Sequence, residues 1–113
     1  MGCDVHKATV YITVIEGDGR IEEQYEFTNN KEYWAKFRNR YLSLNPEVTM
    51  EMSTKGKYVA RRLRDMKFSV HLADPAKMPE IYQSEKRNDR EDSFKIAWML
   101  RINDLPEVHP TSV

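Results

Sequence analysis

The chain has 113 residues, 40% of them hydrophobic and 32% charged, which is typical of one globular domain with one core. Its 18 basic and 18 acidic residues cancel, which excludes nucleic-acid binding through net charge alone. The single cysteine, Cys3, excludes an internal disulfide and indicates a reducing compartment. Because neither a signal peptide nor an apolar run of roughly 18 residues occurs, we expect a cytoplasmic protein with no membrane partner.

The first segments predict a β-hairpin. Residues 5–15 alternate in polarity and are rich in β-branched side chains, and the pattern resumes at Ile21 after the turn signal GDG. If one strand runs from the first residues onward, Asp4 shares a face with Val10 and Ile12, which we expect to be buried. An ionised carboxylate in that place is costly unless it is paired or holds a metal.

Helical spacing of apolar residues follows the hairpin. Residues 31–44 predict a first helix, in which we expect Tyr33, Trp34 and Phe37 to pack in the core rather than form a base-stacking platform. Residues 48–52 predict a short strand, which we expect to lie in the interior of the sheet. The first half of the chain therefore predicts strands packed against a helix.

The second half alternates regularly between strand and helix. Residues 53–67 predict a second helix, residues 68–75 a strand, residues 76–87 a long connection and residues 88–102 a third helix. Alternation of this kind implies parallel strands with right-handed crossovers, whereas the opening hairpin is antiparallel. We therefore predict an α/β fold with a mixed sheet and flanking helices.

Four carboxylates fall where the periodicity predicts buried positions. Asp4 lies in the first strand, Glu51 ends the strand before the second helix, and Asp89 and Asp92 share the inward stripe of the third helix. Carboxylate oxygens are the preferred ligands of Mg²⁺, and two such ions about 4 Å apart stabilise both oxygens in phosphoryl transfer. Convergence of the four acids would therefore predict a magnesium site.

Simpler interpretations stand beside this one. Asp89 and Asp92 lie in the first turn of their helix, where acidic residues complement the helix dipole. Glu51 can pair with a lysine of the second helix, and Asp4 can be solvated at a frayed terminus. The residues alone leave these alternatives open.

Four segments of the sequence resemble those of a known family. GCDVHK at residues 2–7, MEMSTKGKY at residues 50–58, NDREDSFKIAWMLR at residues 88–101 and LPEVHP at residues 105–110 resemble, in order, the landmarks of the insertion-sequence family 110 transposases. These are also called DEDD transposases and are related to the pilin-gene-inverting recombinases. The resemblance covers essentially the whole chain.

The resemblance implies a ribonuclease-H-like, RuvC-like fold and a role in DNA recombination. Asp4, Glu51, Asp89 and Asp92 match the family's D, E, D and D, which coordinate Mg²⁺, with Mn²⁺ as a substitute, for DNA strand breakage and joining. Family members act as homo-oligomers on DNA, and some are guided by a structured RNA. Both kinds of partner are implied by the resemblance only.

The chain departs from the family pattern in three respects. Cys3 stands where an aliphatic residue is usual, and we expect it to be a small buried strand residue. Ser93 stands where alanine is usual, a minor change in helix packing. Family members continue into a second domain that carries a serine nucleophile, so we expect residues 1–113 to be the N-terminal domain without that serine-bearing domain, and not to complete recombination alone.

Basic side chains near the acids suggest contacts to nucleic acid. Lys7 belongs to the opening motif, and the second helix carries Lys55, Lys57 and Arg61, which can grip phosphates or simply form a solvated face. His6 can orient a ligand or water, although a packed strand histidine is the simpler interpretation.

Two other functions stay open. A stand-alone nuclease of the Holliday-junction type would use the same acids, and divalent-dependent cleavage by this chain would favour it. A non-catalytic nucleic-acid-binding module would rely on the basic helix, and binding that survives Asp4→Asn and a chelator would favour that.

Overall fold

A computed structural model describes residues 1–77, 89–102 and 105–107 of the chain. A short 3₁₀ turn at Leu42–Leu44 extends the first helix, and another at Pro75–Lys77 follows the last strand. The regular elements, in chain order, are β1 Gly2–Val5, β2 Thr9–Ile15, β3 Ile21–Thr28, α1 Lys31–Tyr41, β4 Glu47–Glu51, α2 Thr54–Asp65, β5 Ser69–Ala73 and α3 Asp89–Arg101. Most of the connection predicted at residues 76–87 lies outside the described residues.

The five strands form one mixed sheet in the order β3-β2-β1-β4-β5. β2 pairs antiparallel with both β1 and β3, whereas β4 pairs parallel with both β1 and β5. The predicted α/β architecture with a mixed sheet is therefore confirmed. Its parallel half brings the carboxyl ends of β1, β4 and β5 to the same edge.

The opening segment forms two strands instead of the one that the sequence predicted. A tight turn after Val5, in which the His6 amide donates to the Thr9 carbonyl at 2.8 Å, separates β1 from β2. Because directly opposed residues of antiparallel strands share a face, the turn resets the alternation. Asp4 is opposite Tyr11, whereas the buried Ile12 is opposite Cys3. The prediction that Asp4 shares a face with Val10 and Ile12 was wrong.

One face of the sheet carries the main core. The side chains of α1 and α2 pack there against Cys3, Val10 and Ile12. Trp34 and Phe37 are buried as predicted, but Tyr33 is 40% exposed, so its assignment to the core was wrong. A helix advances by about 100° per residue, and the buried stripe of α1 passes through Trp34 and leaves its neighbour Tyr33 at the edge.

The opposite face is covered by α3, which contacts β1, β2 and β4. Gly2 makes this close approach possible, because a β-carbon there would lie 2.0 Å from the Ser93 carbonyl oxygen and 2.9 Å from the β-carbon of Ala97. Ile96 and Met99 are buried beneath the helix, in agreement with the predicted inward stripe. The start of α3 is thus held near the centre of the sheet.

Candidate active site

An acidic cavity of about 360 Å³ opens at the carboxyl ends of β1 and β4, beside the first turns of α3. The cavity holds three of the four carboxylates that the sequence singled out. Its lining residues are Cys3, Asp4, Val5, His6, Glu51, Ser53, Asp92 and Ile96. Residues far apart in the sequence therefore share one concave surface, which we call the acidic cavity.

Strand register explains why Asp4 and Glu51 come together. Cys3 is paired with Met50 in the parallel ladder between β1 and β4. Asp4 and Glu51 each follow one residue later, so both lie at the same level of adjacent parallel strands. Asp92 reaches this edge from α3, which packs across β1 through Gly2.

His6 contacts one of these acids directly. Its Nε2 lies 3.2 Å from Oδ2 of Asp4, and the His6 side chain is 49% exposed. The Asn29 side-chain amide donates to the His6 carbonyl at 2.9 Å and fixes the turn. The interpretation of His6 as a packed strand histidine was wrong, because β1 ends at Val5 and the histidine lies in the turn that follows.

Cys3 lines the cavity wall, but its buried thiol is unreactive. The side chain is buried, and burial raises its pKa from 9.0 to about 12. The thiol therefore stays protonated near neutral pH and does not supply a nucleophilic thiolate. The expectation of a small buried strand residue is confirmed.

The donor set of the acidic cavity fits a hard divalent cation. Asp4, Glu51 and Asp92 offer only carboxylate oxygens, which are the ligands that Mg²⁺ prefers. Among the described side chains, no three histidine, cysteine, aspartate or glutamate residues form a group close enough to hold a metal ion. Carboxylates that share a cavity repel one another unless a cation neutralises them, which is the physical reason that such a donor set attracts a divalent ion.

Asp89 is the fourth predicted acid. It is the first residue of α3 and lies three residues before Asp92, so its backbone is one helical turn from the cavity. The Asp89 side chain lies outside the described residues. Its part in the site stays a prediction.

None of the basic residues singled out in the sequence is among the described residues that line the acidic cavity. Lys7 follows His6, and Lys57 and Arg61 are exposed on α2. The Lys55 side chain lies outside the described residues.

Lys7 also lines a second cavity of about 400 Å³, together with Lys31 and Tyr58. Lys31 and Tyr58 were not predicted from the sequence as part of any site. The signal for Tyr58 is its position as an aromatic residue off the apolar stripe of α2.

The mixed sheet, its helices and the cavity define a ribonuclease-H-like α/β domain, with acids at the carboxyl ends of the inner strands β1 and β4. The family model of the insertion-sequence family 110 DEDD domain, described as a transposase, matches residues 1–112. The chain belongs to this transposase family. No curated protein matches the chain. Within the described residues, no helix is both long enough and apolar enough to cross a membrane.

Proposed function

We propose that this domain takes part in Mg²⁺-dependent breakage and joining of DNA strands during transposition. The observation that carries the proposal is the meeting of Asp4, Glu51 and Asp92, from β1, β4 and α3, in one cavity. The lining brings three carboxylates together, and a divalent cation would relieve the repulsion among them, which supports a cation site here. Family membership gives the reaction class, which is transposition.

Each acid has a defined part in this proposal. Asp4 and Glu51 hold the cation from the sheet, Asp92 holds it from α3, and Asp89 is the fourth ligand or orients a water. When bound, Mg²⁺ stabilises charge on the attacking and leaving oxygens of the phosphodiester, and Mn²⁺ can substitute. His6 contacts Asp4 and acts as a positioning residue that restricts the carboxylate to one orientation.

The proposal places the whole of residues 1–113 in the N-terminal DEDD domain of a cytoplasmic recombinase. The serine nucleophile then belongs to a second domain, and full recombination requires it. Self-association of the full-length protein and contact with a structured RNA are further parts of the proposal. Family membership, and no contact within the described part of the chain, is the support for both.

Mn²⁺ titration of the 113-residue chain by calorimetry tests the cation site. Asp4→Asn, Glu51→Gln and Asp92→Asn should each abolish or strongly weaken binding. Asp65→Asn is the matched control, because Asp65 is an exposed acid at the end of α2, away from the acidic cavity. Unchanged Mn²⁺ affinity in all three cavity variants would overturn the proposed site.

A cleavage assay on DNA junctions then separates the candidate functions. Cleavage by the chain in Mg²⁺ that disappears in chelator favours the stand-alone junction nuclease. Mn²⁺ binding without cleavage favours a recombinase domain that needs its serine partner. DNA binding without metal binding and without cleavage favours the non-catalytic binding module. The exposed cations Lys7, Lys57 and Arg61 support that alternative.

A further inference from the structure

A second concave surface lies next to the acidic cavity. It has a volume of about 400 Å³ and is formed by the turn after β1, the start of α1 and one side of α2. We call it the basic groove, and its lining residues are Lys7, Asn29, Asn30, Lys31, Tyr58, Val59 and Arg62. None of these residues carries a negative charge.

The three cations of the basic groove have no acidic partner among the residues that the structure describes. Lys7, Lys31 and Arg62 come from three different elements, and within the described part of the chain none of them forms an ion pair. Three cations held around one concavity, in a chain with no net charge, make a local positive field. An anionic ligand with more than one charge matches this arrangement.

Tyr58 adds an aromatic surface to the groove. Its side chain is 72% exposed, although α2 buries its neighbours Val59 and Ala60 in the core. Tyr58 also lines a neighbouring hollow, together with Arg61, Arg62 and Asp65, so its ring is accessible from two concave surfaces. A solvent-exposed ring in this setting is suited to stacking against a planar group.

The basic groove and the acidic cavity are neighbours along the chain. His6 lines the acidic cavity and Lys7 the basic groove, and consecutive α-carbons are about 3.8 Å apart. Likewise Ser53 lines the acidic cavity and immediately precedes α2, which carries Tyr58. At the turn after β1, consecutive residues therefore line the two concave surfaces.

We infer that the basic groove binds a single-stranded segment of the DNA substrate beside the phosphodiester to be cut. Lys7, Lys31 and Arg62 contact successive phosphates, and an unpaired base stacks on Tyr58. Cations alone would accept duplex DNA equally well, but a base offers its face to a side chain only when it has left the duplex stack. The inference rests on the proposed function, because it takes DNA as the substrate.

Fluorescence anisotropy with labelled oligothymidine and a duplex of equal length, both in EDTA, tests the groove without the metal site. Tyr58→Ser should weaken single-strand binding about fivefold or more and change duplex binding little. Tyr58→Phe, which keeps the ring, should bind like the unaltered chain. Circular dichroism and the thermal midpoint verify that each variant is folded, which the exposure of Tyr58 favours.

Charge substitutions give a second readout. Lys7→Gln, Lys31→Gln and Arg62→Gln should each weaken binding and reduce the slope of log K against log salt by about 0.7. Arg38→Gln is the matched control, because Arg38 is an exposed cation of α1 that does not line the groove. Groove variants that behave like this control would overturn the inference.

Two further results would contradict the inference. Equal losses of single-strand and duplex binding in Tyr58→Ser would show that no unpaired base stacks there. Tighter binding of the matching RNA, lost in the same variants, would assign the groove to RNA instead. Mn²⁺ titration of Tyr58→Ser keeps the two proposals distinct: retained metal binding with no effect on DNA refutes the groove and leaves the acidic cavity intact.

Discussion

Thr13 and Ser93, 80 positions apart in the sequence, share a hydrogen bond of 2.5 Å between their buried hydroxyl oxygens. The Gln24 side-chain amide donates to the same Thr13 oxygen at 3.1 Å. This polar contact joins β2 to α3 at the residue that follows Asp92. It therefore fixes the helix that brings an acid to the cavity.

Ser93→Ala should destabilise the chain by about 1–2 kcal/mol, because a buried hydrogen bond is lost and the Thr13 hydroxyl loses a partner. Urea unfolding measures the change. Ser69→Ala is the control, since Ser69 is exposed on β5. Equal midpoints for Ser93→Ala and the unaltered chain would show that serine does no more here than the alanine usual in the family.

Gly2→Ala should destabilise the chain by about 1–3 kcal/mol or more, because the new β-carbon would meet the backbone of α3 at Ser93. A backbone atom cannot rotate away, so the helix must shift, and Asp92 shifts with it. We therefore expect weaker Mn²⁺ binding in calorimetry as well. Gly17→Ala is the control, since no atom of the described residues lies within 4 Å of a β-carbon there; equal losses in both variants would contradict the packing argument.

His6→Ala should lower Mn²⁺ affinity by about tenfold, the loss typical of removing a partner that orients a metal ligand. The reason is that Asp4 then loses the contact with His6 Nε2. His71→Gln is the control, because His71 contacts Glu107 and lies outside the acidic cavity. If calorimetry gives His6→Ala the affinity of the unaltered chain, His6 does not position Asp4.

Alkaline pH should destabilise the fold. Burial raises the pKa of the Cys3 thiol from 9.0 to about 12, so its contribution is complete below pH 9 and is lost as the pH rises toward 12. Burial likewise raises the pKa of Tyr41 and of Tyr25, which adds to the loss above pH 10. Urea midpoints should therefore fall between pH 9 and 11, and less steeply in Cys3→Ala; identical slopes would contradict the assignment to Cys3.

Local patterns predicted most of the elements correctly. The helices and the parallel half of the sheet follow from apolar spacing and from the alternation of strand and helix. The break between β1 and β2 was missed because the turn at His6 and Lys7 contains neither glycine nor proline. Asp4 nevertheless lies at the cavity. The reason is its place at the end of β1, beside the parallel strand β4, and not a shared face with Val10 and Ile12.

Tertiary packing decides what the sequence could not supply. Gly2 and Ser93 become neighbours only when α3 crosses β1, so neither drew attention as a determinant of the site. The basic groove likewise depends on Lys7, Lys31 and Tyr58 converging from three elements. Helical periodicity ranks Lys31 and Tyr58 as ordinary surface positions, and Lys7 lies in a turn, where that periodicity does not apply.

The central claim is that the acidic cavity is a divalent cation site. Crystals soaked in Mn²⁺ and measured at its absorption edge test this most directly. We expect an anomalous peak between the carboxylates of Asp4, Glu51 and Asp92, with Asp89 close by. Anomalous peaks elsewhere on the molecule and none in the cavity, with the acids turned apart toward solvent, would contradict the claim.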